Sequence, residues 1–144
     1  MIFTKHFTLQ EFTHSDAALR AGISNQPPAE LHAAAQATLA GMERIRSALH
    51  DHPVRILSGY RSPKVNELVG GAENSQHMKC EAVDFVCPKF GTPLAIVKYL
   101  QHLLNPLGID QIILEPTWVH VSFTTRPRLH VLRLEGKKYK VGLA

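Results

Sequence analysis

The sequence predicts an α+β fold in which a mostly antiparallel sheet carries the functional groups and N-terminal helices pack against it. Three observations predict it. Helix signals dominate the first fifty residues, short apolar runs of strand character follow from Val54, and the last third holds paired runs joined by tight turns. At 144 residues the chain has the size of one domain, able to bury roughly two thirds of its unfolded surface. No linker divides it, so residues 1–144 are expected to form one unit. A composition of 44% apolar and 19% charged residues is that of an ordinary globular protein and argues against disorder.

Each element has a local cause. Thr8-Leu9-Gln10-Glu11 has the Ser/Thr-x-x-Glu pattern that satisfies free amides at a helix start, which predicts a helix over residues 9–20 ending near Gly22. Asn25-Gln26-Pro27-Pro28 breaks the chain and leads into a helix over 28–50, where Leu31, Ala35, Leu39, Met42, Ile45 and Leu49 share one face. After Asp51-His52-Pro53, residues 54–60 read as a buried strand running into a loop at Gly59. Ser62-Pro63 caps a short helix over 63–69, closed by Gly70-Gly71. Residues 82–87 form a second strand, and Thr92-Pro93 opens a helix to residue 104, ended by Asn105-Pro106 and Gly108. Residues 111–115 and 118–123 are strands around a Pro116-Thr117 turn, and 129–135 with 139–141 complete the sheet.

Charge and targeting signals narrow the classes of function. The net charge of +4 favours an anionic partner. The late basic cluster of Arg126, Arg128, Arg133, Lys137, Lys138 and Lys140 is interrupted by apolar residues and reads as solvated strand faces. A nucleic-acid partner rests on charge alone, would require salt-sensitive retention, and is not expected. Met1-Ile2-Phe3-Thr4-Lys5-His6 lacks a signal peptide's apolar stretch, and no run approaches the ~20 apolar residues of a membrane span. The expectation is a monomer made in the cytoplasm, with no membrane insertion.

The chemistry gathers in two stretches. His77 and Asp84 lie within Ser75-Gln76-His77-Met78-Lys79-Cys80-Glu81-Ala82-Val83-Asp84, and His120 lies within Trp118-Val119-His120, with Glu115 just upstream. Two imidazoles and a carboxylate, with a spare carboxylate nearby, are the inventory of a hydrolytic zinc site with one open coordination position. The bland alternatives are a loop histidine at 77 and a surface histidine at 120. Asp84 resists that reading, because a carboxylate in an apolar strand is costly to bury unless a cation or strong donors meet it. His6, His14, His32, His50, His52, His102 and His130 read as structural or solvated. Cys80 and Cys87 are too few for a disulfide scaffold. A site built from both cysteines and His77 is an alternative, but the step from Asp84 to Cys87 turns their side chains to opposite faces of a strand, so both read as small buried residues.

The pattern Ser75-x-His77-x6-Asp84 followed by Trp118-x-His120 resembles the zinc D-alanyl-D-alanine carboxypeptidases and related peptidoglycan endopeptidases, including phage endolysins. These share a fold group with lysostaphin-like enzymes and the hedgehog signalling domain. Ser58-Gly59-Tyr60-Arg61-Ser62 and Phe7-Thr8-Leu9-x-Glu11-Phe12 extend the likeness to residues 7–123, leaving the basic segment 124–144 outside. The resemblance implies that His77, Asp84 and His120 bind one zinc ion, Glu115 is general base and then acid, Arg61 stabilises the oxyanion, and Ser75 helps hold the substrate. Two positions depart from the family pattern. Cys80 stands where the family has Gly, and Glu115 lies five residues before the last His, where dipeptidase-type relatives place the acid three before it.

The expected function is therefore zinc-dependent cleavage of peptidoglycan stem peptides or cross-links, as carboxypeptidase or endopeptidase. A phage or prophage lysis enzyme, reaching the wall after release or delivery, suits a small chain without a wall-binding module. The alternative is a non-catalytic, metal-containing binding or virion protein of the same fold.

Overall fold

The N-terminal elements begin where their capping residues direct. The computed structural model describes residues 2–144. The Thr8 hydroxyl accepts from the Glu11 amide and the Glu11 carboxylate accepts from the Thr8 amide, opening α1 (Leu9–Thr13). The single helix expected over 9–20 is in fact two. Ser15 caps the Ala18 amide and starts α2 (Asp16–Ala21), so the chain turns at His14 before Gly22 ends the second helix in the left-handed conformation. A 3-10 turn over Ala29–Leu31 leads into α3 (His32–Ala48), which buries Ala35, Leu39, Met42 and Ile45 on the face the periodicity predicts.

β1 (Arg55–Ser58) precedes α4 (Pro63–Leu68), where Ser62 caps the Val65 amide and Pro63 occupies a position that needs no amide. The buried strand expected at 54–60 is an edge strand with alternately exposed and half-buried residues, because among the described residues only β2 (Ala82–Val86) pairs with it. α5 (Pro93–Leu100) is capped by Thr92 and stops short of residue 104. The Asn105-Pro106 expected to end it lies inside a further turn of helix, α6 (Leu104–Leu107), closed by Gly108. Pro106 fits there because first-turn amides have no helical partner to lose.

β3 (Gln111–Leu114), β4 (Val119–Ser122), β5 (His130–Glu135) and β6 (Lys138–Val141) complete a six-stranded sheet in the order β1-β2-β4-β3-β5-β6. The class is α+β with a mostly antiparallel sheet, as the sequence predicts. One pair departs from that pattern: β5 runs parallel to β3, with Ile113 beside Leu132. The segment after β4 therefore crosses over and adds its hairpin beyond β3.

Register divides the sheet into two faces. Asp84 is opposite His120, His120 is opposite Ile113, and Ile113 is beside Leu132, so these residues project to one side. Val83, Phe85, Val119, Val121 and Ile112 project to the other and are fully buried in one core with the apolar residues of α3 and α5. The helices cover one face and leave the other to polar chemistry.

Candidate active site

Asp84 and His120 meet because β2 and β4 pair in antiparallel register, and the His120 ring nitrogen Nδ1 lies 2.9 Å from Asp84 Oδ1. His77 arrives from a 3-10 turn over Gln76–Lys79, whose first amides include that of His77, capped at 3.1 Å by the Ser75 hydroxyl. His77 Nε2 is 3.4 Å from Asp84 Oδ2, and the two imidazoles stand edge to face with centroids 5.2 Å apart. One donor atom from each of His77, Asp84 and His120 lies within 4.8 Å of the others. Donors about 2.1 Å from a tetrahedral ion are separated by about 3.4 Å, so the donor set suits zinc in both chemistry and spacing.

The surrounding bonds orient these groups. His77 Nδ1 is 2.6 Å from the Gly59 carbonyl, which can only accept, so Nδ1 carries a proton and the bond turns Nε2 toward Asp84. Gly59 has no room for a side chain: a Cβ there would lie 2.3 Å from the Phe12 carbonyl oxygen. Burial pushes the Asp84 carboxyl up, but the hydrogen bonds and charge of His120 and His77 outweigh it and hold the group well below the usual carboxylate range.

Cys80 ends the 3-10 turn in the left-handed conformation, φ 58°. That explains why the resemblance implies Gly at this position, and it shows that cysteine adopts the same backbone angle, at a cost of roughly 1–2 kcal/mol. Its thiol is buried and pushed up to about 12 by burial and the Glu81 charge, a value at which it is inert. Cys87 directs its sulfur to the His52 carbonyl, 3.8 Å away, and both cysteines are free. Neither belongs to the cluster that could hold a metal.

Arg61 is fixed on every side. The buried Asn25 donates to the Tyr60 carbonyl and accepts from the Ser62 amide, while the Arg61 amide donates to the His77 carbonyl. The guanidinium donates to Ser58 Oγ at 3.3 Å and Asn66 Oδ1 at 3.2 Å, and reaches Asp84 Oδ2 at 3.5 Å. Asn66 in turn donates to the Ala72 carbonyl. A Cβ at Gly71 would lie 2.0 Å from Asn66 Oδ1, so only glycine leaves this arrangement intact. Burial lowers the Arg61 pKa and the Asp84 charge opposes that shift.

Glu115 follows β3 directly. Its amide donates to the Trp118 carbonyl, so the Pro116-Thr117 turn absorbs the longer spacing to His120 and Glu115 stays on the face of Ile113 and His120. The side chain is buried and its pKa is raised, by burial first, against a hydrogen bond from Tyr139 and the influence of His120. Tyr139 Oη is 3.2 Å from each carboxylate oxygen. Arg61, Ser75, His77, Asp84, Glu115 and His120 all line one cavity of about 590 Å³. A second cavity of about 560 Å³ meets it at Ala72, Ser75, Gln111 and His120 and runs toward Lys79 and Arg126.

The sequence reading missed several groups. Asn25, Ser58, Asn66 and Gly71 support Arg61, but nothing in their local patterns announces that duty. Leu132, Leu134 and Tyr139 line the first cavity from a segment read as solvated strands, with the period-two Leu132-x-Leu134 as the one available signal. Arg128 is not simply solvated either, since it forms a 2.7 Å ion pair with the fully buried Asp110. Two histidines read as structural or solvated have carboxylate partners, His6 with Glu43 and His14 with Asp16.

Two imidazoles and a carboxylate on the uncovered face of an α+β sheet, flanked by a glutamate and an arginine, are what a metallopeptidase requires. The family model described as Peptidase M15 matches residues 5–122, and the chain belongs to that zinc metallopeptidase family. A search of curated proteins finds no match. The matched segment ends with β4, before the hairpin that carries Tyr139.

Proposed function

We propose that the protein hydrolyses peptide bonds in peptidoglycan stem peptides or cross-links, with His77, Asp84 and His120 holding one zinc ion. The observation that carries this reading is the convergence of those three donors within 4.8 Å, in one cavity with Glu115 and Arg61. When bound, zinc supplies Lewis acidity and lowers the pKa of water from 15.7 toward about 7. Glu115, the buried carboxylate beside His120, accepts a proton from the attacking water and returns it to the leaving amine. Arg61 directs its guanidinium at the negative charge that develops on the scissile carbonyl oxygen. Ser75, at the junction of the two cavities, contacts the substrate backbone.

Cleavage within a chain is favoured over removal of a terminal residue. The two cavities adjoin at Ala72, Ser75, Gln111 and His120, so the space beside the metal ligands continues toward Lys79 and Arg126 and gives a peptide room to extend past them. The enzyme reaches the wall after release or delivery and works as a monomer. Digestion of purified peptidoglycan with and without a chelator, followed by mass spectrometry of the released fragments, tests the reading. New internal termini that disappear on chelation are expected. Intact peptidoglycan after incubation with the zinc-loaded protein would instead mark a non-catalytic, metal-containing protein of the same fold.

A further inference from the structure

We infer that Tyr139 is a positioning residue for the general base Glu115, and that the C-terminal hairpin is a working wall of the active site. This inference rests on the proposed role of Glu115. Tyr139 Oη lies 3.2 Å from both Glu115 oxygens, and among the described residues it is the only hydrogen-bonding partner of that carboxylate. A glutamate at a strand end rotates about three side-chain torsions unless something holds it. A single hydroxyl shared between the two oxygens fixes the plane of the carboxylate and leaves lone pairs free to accept a proton.

Register explains why this residue does the work. Ile113 sits beside Leu132 in the parallel β3/β5 pair, and Leu134 sits opposite Tyr139 in the antiparallel β5/β6 pair. Continuing the first register by two residues places Glu115 beside Leu134, with Tyr139 one strand farther on the same face. A side chain of tyrosine length is needed to span that strand. Lys138 and Lys140 alternate to the opposite face. The hairpin is itself held: Arg133 donates to the Val141 and Gly142 carbonyls at 3.0 Å, and the Gly142 amide donates to the Val131 carbonyl. Leu132 and Leu134 complete an apolar wall along the cavity.

The test compares wild type, Tyr139→Phe and Glu115→Gln on a soluble cross-linked muropeptide dimer. Tyr139→Phe keeps the ring and removes the hydroxyl. We expect kcat to fall on the order of tenfold with KM within about twofold, since a hydrogen bond to a charged group is lost. Zinc stoichiometry and melting temperature should match wild type. The infrared carboxylate stretch of Glu115, isolated by difference against Glu115→Gln, should shift in Tyr139→Phe; this readout needs no turnover. An unshifted band, or a kcat within about twofold of wild type, overturns the inference, as does a kcat loss that follows zinc loss. A wild type that binds zinc but cuts no muropeptide overturns the proposed function instead, and the infrared band still decides whether Tyr139 holds Glu115.

Discussion

Two faces of one sheet separate stability from chemistry in this protein. Beneath α3 and α5, Val83, Phe85, Val119, Val121 and Ile112 are fully buried and bind their neighbours by non-directional packing. On the opposite face, Asp84, His120 and Glu115 are aimed by hydrogen bonds whose angles matter. Alternation along the strands makes the two sets adjacent in sequence and independent in space. The lesson is that Phe85 and Asp84, neighbours in the chain, should fail in different ways.

The largest expected effect tests the chemical face. Glu115→Gln should lower turnover by roughly 10²- to 10⁴-fold, the usual contribution of a general acid-base group, with zinc content and melting temperature retained. A large loss of melting temperature would break the comparison, because Glu115 would then carry stability. On the packed face, Phe85→Ala should cost about 3–5 kcal/mol in denaturant unfolding, while the fraction still folded keeps wild-type turnover. Specific activity that drops in the folded fraction would show the faces to be coupled.

Arg61→Ala should lower kcat by about 10²- to 10³-fold, the loss typical of one oxyanion donor. Gly71→Ala sharpens this test while keeping the guanidinium in the chain, since its Cβ would lie 2.0 Å from Asn66 Oδ1 and 3.0 Å from Arg61 Nη1. The added Cβ would displace Asn66, so activity should fall in the same direction and by less.

The acid limb of kcat/KM follows from the raised pKa of Glu115. A protonated glutamate cannot accept a proton, so activity should fall as pH drops through a value above the ordinary 4.5. A pH profile flat through that range would remove Glu115 as the base.

Asp110→Asn is the smallest of these effects, about 2 kcal/mol at neutral pH, because Arg128 is half-exposed and keeps much of its hydration. Burial raises the Asp110 pKa, but the hydrogen bonds from Arg128, Ser122 and Gln76 hold it below the ordinary 3.8. Its stabilisation is therefore complete above that value and lost as pH falls through the depressed folded value. Urea midpoints of wild type and variant should converge on acidification; midpoints that stay equally far apart at every pH would refute the pairing.

Local signals carried much of the architecture. The Thr8, Ser62 and Thr92 caps start helices where the sequence places them, and the short apolar runs around Asp84 and His120 mark their strands. Where the reading failed, a second local cap interrupted an element drawn as continuous, as Ser15 did in splitting the first helix. The edge position of β1 was not legible, because burial of a strand depends on which strands lie beside it.

By itself, the sequence determined the helix starts and the α+β class and marked His77, Asp84 and His120 as candidate donors, because residue type and local pattern suffice for these. Only the tertiary structure decided that β5 joins β3 in parallel, that Asn66 and Gly71 brace Arg61, and that Tyr139 reaches Glu115. Such contacts join residues distant in the chain, and their register is set by burying the opposite face of the sheet, a constraint no local window contains.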